Sequence, residues 1–375
     1  MDLELSDDEM ALRDNVRTVL GGICPAAVVR EAHEGGDPRS AIWSRMVDLG
    51  WPALTIPEEH GGLGLGFVEQ VLVAEELGRA VVPSPLLATA TQFTPAVREL
   101  GGSGAGRLLE RVAAGQTGTL AVAEGGRWSP AEVVTSARQD GDGWILEGCK
   151  EAVVDGATAH QIVVIARGAE GLGAFLVDGS DARAERRSVL DPTTPIADLH
   201  FDGVAVPADR VLARPGHDAV EEGIRRCLEE ATVAVAAMTV GACRRVFEET
   251  VEYTKARVQY DRPIGSFQAL KHRMADMYLS VERAAALVYY AALTISEDVP
   301  ERSIAAAAAK AAAGDCQLLV VADGLQMHGG IGYTWEHGLH FLLKRAKAGD
   351  VLFGNGTTHR AAMSSLLGLD QQAVA

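Results

Sequence analysis

The sequence lacks an excess of base. Lys and Arg number 34 against 51 Asp and Glu, a formal net charge of −17. Nucleic-acid binding rests on Lys and Arg neutralising phosphates, and anionic membranes attract basic patches. Neither nucleic acid nor a membrane surface is therefore expected as a partner. Cysteines are few and scattered: Cys24, Cys149, Cys227, Cys243 and Cys316, with no CxxC pair. That argues against a zinc knuckle or a dithiol redox centre and for reduced thiols in the cytoplasm. His328 has no Cys or carboxylate at ligand spacing, so no metal site is expected. Long apolar runs are missing too. In the second half, Ala231–Val240, extended by Gly241–Cys243, is the longest run without charge or strong breakers. It falls short of the roughly 20 residues that cross a bilayer, so no membrane insertion is expected. The N-terminal stretch MDLELSDDEM is acidic, without the apolar core of a secretion signal.

What is present is an ordinary folded balance, 47% hydrophobic and 23% charged over 375 residues. Three regions of different periodicity follow one another. Residues 1–116 read as an N-terminal helical domain, with apolar residues at helical spacing over Leu3–Leu20 and Val68–Leu77. Residues 117–214 carry short apolar runs at Leu120–Ala123, Val133–Thr135, Trp144–Leu146, Gln161–Ile165, Ala174–Val177, Leu199–Phe201 and Val204–Val206. Gly, Asp and Pro punctuate them, which predicts a small β-barrel or sandwich. Residues 215–375 return to helix over Val220–Lys255, Phe267–Ser296, Ile304–His328 and Asn355–Leu367, the pattern of a four-helix bundle. Helices, then strands, then helices make an α+β fold, and no Rossmann unit is expected. The glycine-rich Gly101–Gly106 is expected to be a surface turn, and Glu336 after Thr334 to be a helix cap. The alanine runs Ala305–Ala309 and Ala311–Ala313 predict close helix packing.

Two stretches carry chemistry. Arg257-Val-Gln259-Tyr260-Asp261-Arg262-Pro263-Ile264-Gly265 lies between long helices. An Arg at a helix C-terminus suits a bidentate grip on phosphate or carboxylate, and equally complements the helix dipole. Gln326-Met327-His328-Gly329-Gly330-Ile331-Gly332-Tyr333 follows another helix. Paired glycines let a backbone approach a ligand, and also serve as a plain helix stop.

With these stretches the chain resembles the acyl-CoA dehydrogenases over essentially its whole length. The resemblance is carried by WPALTIPEEHGGLGLG (51–66) with VAEELGR (73–79), by LEGCKEAVVDGATAHQIVVIAR (146–167), by ARVQYDRPIGSFQ (256–268) and by QMHGGIGYTWEHGL (326–339). It implies a flavoprotein with FAD, an acyl-CoA thioester substrate and α,β-dehydrogenation. In that reaction a glutamate removes the α-proton and hydride leaves to the flavin, with electrons passing on to an electron-transfer flavoprotein. It also implies a tetramer in which FAD is shared between subunits. The FAD-binding residues lent to a neighbour would be Arg257, Gln259, Tyr260, Gln326, Gly329 and Gly330, with Tyr260 in place of the family's usual Phe.

The departures are grouped. The family's Glu-Gly-Thr stretch, which carries the catalytic glutamate, is here Asn355-Gly356-Thr357. A carboxamide does not accept a proton at neutral pH. A subset of the family places the glutamate on the first long C-terminal helix. That position falls here on Ala231, with Glu230 one residue away and about 100° around the helix. Glu230 is thus the one catalytic candidate, or else a structural acid. The family's Lys-x-Trp-Ile-(Thr/Ser) run against the flavin is here Lys150-Glu151-Ala152-Val153-Val154. Its Thr-Glu-Pro-x-x-Gly-Ser-Asp loop is replaced by Ala123-Glu124-Gly125-Gly126-Arg127-Trp128.

The parts a subunit uses in its own site have changed, while the parts it lends are kept. This pattern resembles one subunit of a heterotetrameric (α2β2) acyl-CoA dehydrogenase of the actinobacterial, steroid-degrading type, with a paralogous subunit as partner. A self-sufficient homotetramer with Glu230 as displaced base is the alternative. A non-dehydrogenase flavin or scaffold protein of the same fold is a third.

Overall fold

The computed structural model describes residues 4–217 and 219–369. Leu3, where the first helix is expected to begin, lies outside them. The chain forms two compact units, one from the described residues of Met1–Gly36, Phe67–Val82 and Thr232–Ala375, the other from Asp37–Gly66 and Pro83–Ala231.

The second unit holds the sheet. Its strands are β1 (Gly118–Ala121), β2 (Ser136–Asp140), β3 (Gly143–Val154), β4 (Gln161–Gly168), β5 (Gly171–Asp178), β6 (Arg183–Arg186), β7 (Ile196–Val206) and β8 (Val211–Ala213). They run in the order β6-β7-β3-β2-β4-β5-β8, with β1 added in parallel along the first half of β4. The unbroken apolar run of β4 has a simple cause, because it is covered on both faces. Ile162 and Val164 pack with Phe175, Leu199 and Phe201. Val163 and Ile165 pack with Leu108 and Val112 of the Ala105–Ala113 helix and with Ile224 and Cys227.

Two expectations differ from the structure. Val133–Thr135 is not a strand, because the Glu124 carboxylate captures the amides of Val134 (2.7 Å) and Thr135 (3.1 Å) and β2 starts only at Ser136. Leu199–Phe201 and Val204–Val206 are one strand, β7. The turn expected at Gly101–Gly106 is present as a short 3-10 turn, Gly102–Gly104, that runs straight into the Ala105–Ala113 helix. Upstream, Leu86–Ala88 and Thr94–Leu100 are joined by a π-turn, Thr89–Phe93. Pro95 there has no N–H to give the regular ladder.

The first unit is helical. Asp7–Ile23 opens with a capping box: Glu9 N–H donates to Ser6 Oγ (3.2 Å), and Ser6 N–H donates to the Glu9 carboxylate (2.7 Å). Phe67–Arg79 lies against the later part of the 38-residue Ala219–Ala256 helix with glycine at both contacts. A Cβ on Gly78 would sit 1.9 Å from the Met238 carbonyl oxygen, and one on Gly241 would sit 1.9 Å from that of Glu75. Gln268–Ser296 and Arg302–His328 follow, and the alanine runs of the latter are buried apart from the half-buried Ala308. The most apolar window of Arg302–Tyr333 would suffice for a membrane span by length and composition, yet 67% of it is buried inside the fold.

Leu339–Val351 is a helix that the charged interleaving of Lys344, Arg345 and Lys347 conceals. Arg345 is 1% exposed and donates to the carbonyls of Leu77 (3.5 Å) and Val82 (3.3 Å). The expected cap fails there too. Thr334 Oγ donates back to the Ile331 carbonyl (2.9 Å), and the helix begins after Gly338.

Glycine at 78 and 241 is a packing requirement. Gly241→Ala should cost about 1–3 kcal/mol, measured by chemical denaturation. Gly22→Ala, where an added Cβ meets nothing within 4 Å, should leave stability unchanged or raised.

Candidate functional site

The Ala219–Ala256 helix ends in a two-residue hairpin. Val258–Gln259 pairs with Arg262–Pro263, and Tyr260 and Asp261 form the turn with φ of 54° and 61°. Both central residues are left-handed, the geometry of a type I′ turn, without the glycine that makes it cheap. The hairpin is braced from its own side. The Ile264 amide donates to the Arg257 carbonyl (2.8 Å), and the Arg262 guanidinium lies over the Phe267 ring (4.1 Å). Arg257, Gln259 and Tyr260 stand exposed, Tyr260 by 87%.

The second motif ends the Arg302–His328 helix. Gly329 takes φ 61°, ψ −143°, and its N–H caps the carbonyls of Gln326 and Leu325. A Cβ on Gly329 or Gly330 would meet nothing within 4 Å, so the backbone there faces open space. Gln326 and Gly330 are exposed. The two motifs are joined by a contact that the sequence reading missed. Tyr253, one turn before Arg257, stacks on His328 (4.5 Å between centroids), and its hydroxyl donates to the His328 carbonyl (3.4 Å). His328 is buried and held through Nδ1 on the Gly324 carbonyl (2.8 Å), and burial pulls its pKa below the usual range. The only available signal was an aromatic placed i−4 from Arg257.

At the position where a base is expected, Asn355 has a different occupation. It is the N-cap of the Gly356–Leu366 helix. Its Oδ1 accepts from the amides of Thr357 and Thr358 (3.1 Å each) and from the Thr358 hydroxyl (3.2 Å). His359 steadies the preceding turn through Nε2 on the Phe353 carbonyl (2.9 Å), and burial pulls its pKa down to about 4. Glu230, in the other unit, is buried and ion-paired with Arg98. Burial pulls the Arg98 guanidinium down, and Glu230 with Glu99 more than offsets it, leaving Arg98 above its ordinary value.

The middle segment is closed on itself. Gly125 and Gly126, both left-handed (φ 56° and 72°), aim their amides at the Glu151 carboxylate (3.3 and 3.2 Å). Glu151 is in turn paired with Arg187 (3.4 Å). The Ala152 amide, at φ 50°, donates to Asp198 (3.0 Å). Behind them Lys150 is fully buried and paired with Glu124. Burial pulls Lys150 down to about 8 against the pull of Glu124.

The family described as "Acyl-CoA dehydrogenase, N-terminal domain" matches residues 6–116, and "Acyl-CoA dehydrogenase, C-terminal domain" matches 222–366. The acyl-CoA dehydrogenase IpdE2 of Mycobacterium tuberculosis is 32% identical over 91% of this chain and 91% of its own length. The chain belongs to the acyl-CoA dehydrogenase family. Among solved structures, the ChsE4–ChsE5 complex from Mycobacterium tuberculosis is similar at TM-score 0.88 and 26% identity, covering 98% of this chain and 99% of that one. A variant of the Tcur3481–Tcur3483 steroid ACAD is similar at TM-score 0.87 and 28% identity, with the same coverage.

The family's cofactor is FAD, which when bound supplies the hydride acceptor. The two halves of this chain fit it differently. The exposed guanidinium of Arg257, the carboxamides of Gln259 and Gln326 and the open backbone at Gly329–Gly330 suit a phosphate and adenosine end brought from outside. The Ala123–Trp128 and Lys150–Val154 segments do not suit an isoalloxazine. The amides of Gly125 and Gly126 are already spent on Glu151, and Val154 offers no hydroxyl.

Asn355→Ala should cost about 1 kcal/mol by loss of the cap, while Asn355→Asp should keep it, read from thermal melts. His359 is neutral in the fold, and the unfolded chain takes a proton below pH 6.5. Stability should therefore fall as pH drops from 6.5 to about 4, and His359→Gln should flatten that slope in denaturation curves recorded across the range.

Proposed function

We propose that this chain is the subunit of an acyl-CoA dehydrogenase complex that completes the FAD site of a paralogous catalytic subunit and removes no α-proton itself. One observation carries the reading: the residue at the family's base position, Asn355, is an amide spent on capping a helix. The outward-facing Arg257, Gln259, Tyr260, Gln326, Gly329 and Gly330 support it, as does the self-satisfied Glu151 loop. So does the similarity to the ChsE4–ChsE5 complex and to the Tcur3481–Tcur3483 steroid ACAD. The partner would be a paralogue in an α2β2 assembly, the substrate a steroid-derived acyl-CoA, and the electron acceptor an electron-transfer flavoprotein in the cytoplasm. The division into 1–116, 117–214 and 215–375 is part of the same proposal. Glu230 is assigned to holding Arg98.

Within the complex, each residue has a physical task. Arg257 offers a planar fork matched to phosphate oxygens. Gly329 and Gly330 let the backbone come close without a Cβ in the way. Tyr253 on His328 keeps the two motifs in register.

Purified alone, the chain should carry far less than one FAD and show no dehydrogenase activity. Co-expressed with its catalytic paralogue, it should give a yellow, active complex. In that complex Arg257→Ala should weaken FAD retention by about tenfold, the worth of a charge-assisted hydrogen bond, read by dialysis and absorbance. Glu230→Gln should leave the turnover of the complex unchanged. A yellow, active homotetramer of this chain alone, silenced by Glu230→Gln, would overturn the proposal and make Glu230 the base.

A further inference from the structure

Most arginines of this acidic chain are matched to a carboxylate, as in Arg17–Glu76, Arg79–Glu248 and Arg244–Glu75. Arg107, Arg111 and Arg214 are not. Each is exposed, and among the described residues none forms a hydrogen bond or ion pair through its side chain, although the Arg111 charge reaches Asp178 through space. All three line one cleft of about 830 Å³ within the second unit. Arg107 and Arg111 are one turn apart on the Ala105–Ala113 helix, and Arg214 follows β8.

We propose that this cleft binds a small phosphorylated nucleotide. The three free guanidinium groups supply the phosphate contacts, since an unpaired planar fork is the protein group best matched to phosphate oxygens. The buried side chains of Leu100, Leu108 and Leu176 give the cleft an apolar floor for a base. The volume lies within the range of small-molecule sites, roughly 300–1,000 Å³, and is too large for a lone inorganic ion. Two acids also line the cleft and do not cancel the arginines. Glu99 hydrogen-bonds to Arg98 (3.1 Å), and Asp209 is a single exposed carboxylate. A fourth arginine, Arg210, is fixed in the wall by Asp178 (3.1 Å) and Gln161 (2.7 Å), so it gives shape rather than free charge. An extended nucleic acid is disfavoured by the net charge of −17, whereas a nucleotide in a local basic cleft is not. The site is separate from the Arg257 and Gln326 motifs and independent of the subunit reading.

The test is calorimetric titration of the full chain with ADP, adenosine and pyrophosphate at low salt. ADP should bind at least about tenfold more tightly than either fragment, because it alone uses both floor and forks. The triple variant Arg107→Gln/Arg111→Gln/Arg214→Gln should lose at least about thirtyfold in ADP affinity with an unchanged melting temperature, as its side chains are exposed and unpaired. Arg186→Gln, on β6, should leave ADP binding intact. Binding lost with Arg257→Ala rather than with the triple variant would overturn the proposal. So would equal binding of ADP and pyrophosphate, or no ADP binding at all. ADP binding that depends on Arg257 would belong to the FAD motif, and binding that depends on the three cleft arginines would not, so the two readings fail separately.

Discussion

The backbone contact between the Phe67–Arg79 helix and the Ala219–Ala256 helix governs much else in the first unit. Two glycines let the chains touch carbonyl to Cα, and no side chain could be interposed there. Such an approach leaves no room for adjustment, so the helix direction beyond Gly241 is set by it. A net of charges then fixes the rotation. Arg244 spans Glu75 (3.0 Å) and Glu282, Arg79 holds Glu248 (2.7 Å), and Arg17 holds the buried Glu76 (2.6 Å). Arg345 caps the far end of Phe67–Arg79 from the Leu339–Val351 helix. The hairpin that carries Arg257 and Gln259 thus inherits its aim from a packing contact more than a dozen residues upstream.

The parts legible in the sequence were those written in period and in motif. The long helices, the strand runs of β4 and β5 and the order of helical and β regions follow from apolar spacing alone. Elements stabilised by groups far away in sequence were not legible. The Leu339–Val351 helix buries an arginine whose carbonyl partners lie more than 260 residues earlier, and local composition cannot announce that. The strand expected at Val133–Thr135 is undone by one carboxylate, Glu124, reaching across from another segment. At the site, the motif residues were readable, but Tyr253 was not, because its task is defined only by the ring of His328. The substitution of Asn for Glu at 355 was plain in the sequence, and what the amide does instead needed coordinates.

The middle segment is stabilised by its own side chains. Backbone amides that turn outward on two left-handed glycines present a donor pair that water or a carboxylate can meet. Here Glu151 meets it, and Arg187 and Asp198 hold Glu151 and the strained Ala152 in turn. Burying Lys150 against Glu124 behind this layer adds rigidity, since a buried pair is costly to break from either side. Closed in this way, the segment is part of the folded ground state.

The left-handed pair Tyr260–Asp261 has a consequence for the order of events in assembly. Holding two side-chain-bearing residues at positive φ costs on the order of 1 kcal/mol each. That cost falls on the folding of this chain, where the long helix and the Phe267 contact absorb it. A loop that ordered only on meeting its target would charge the same amount to association. The hairpin is therefore a template already cast. Any surface it meets has to conform to it, and the speed of that meeting depends on diffusion and orientation instead of on a search through loop shapes.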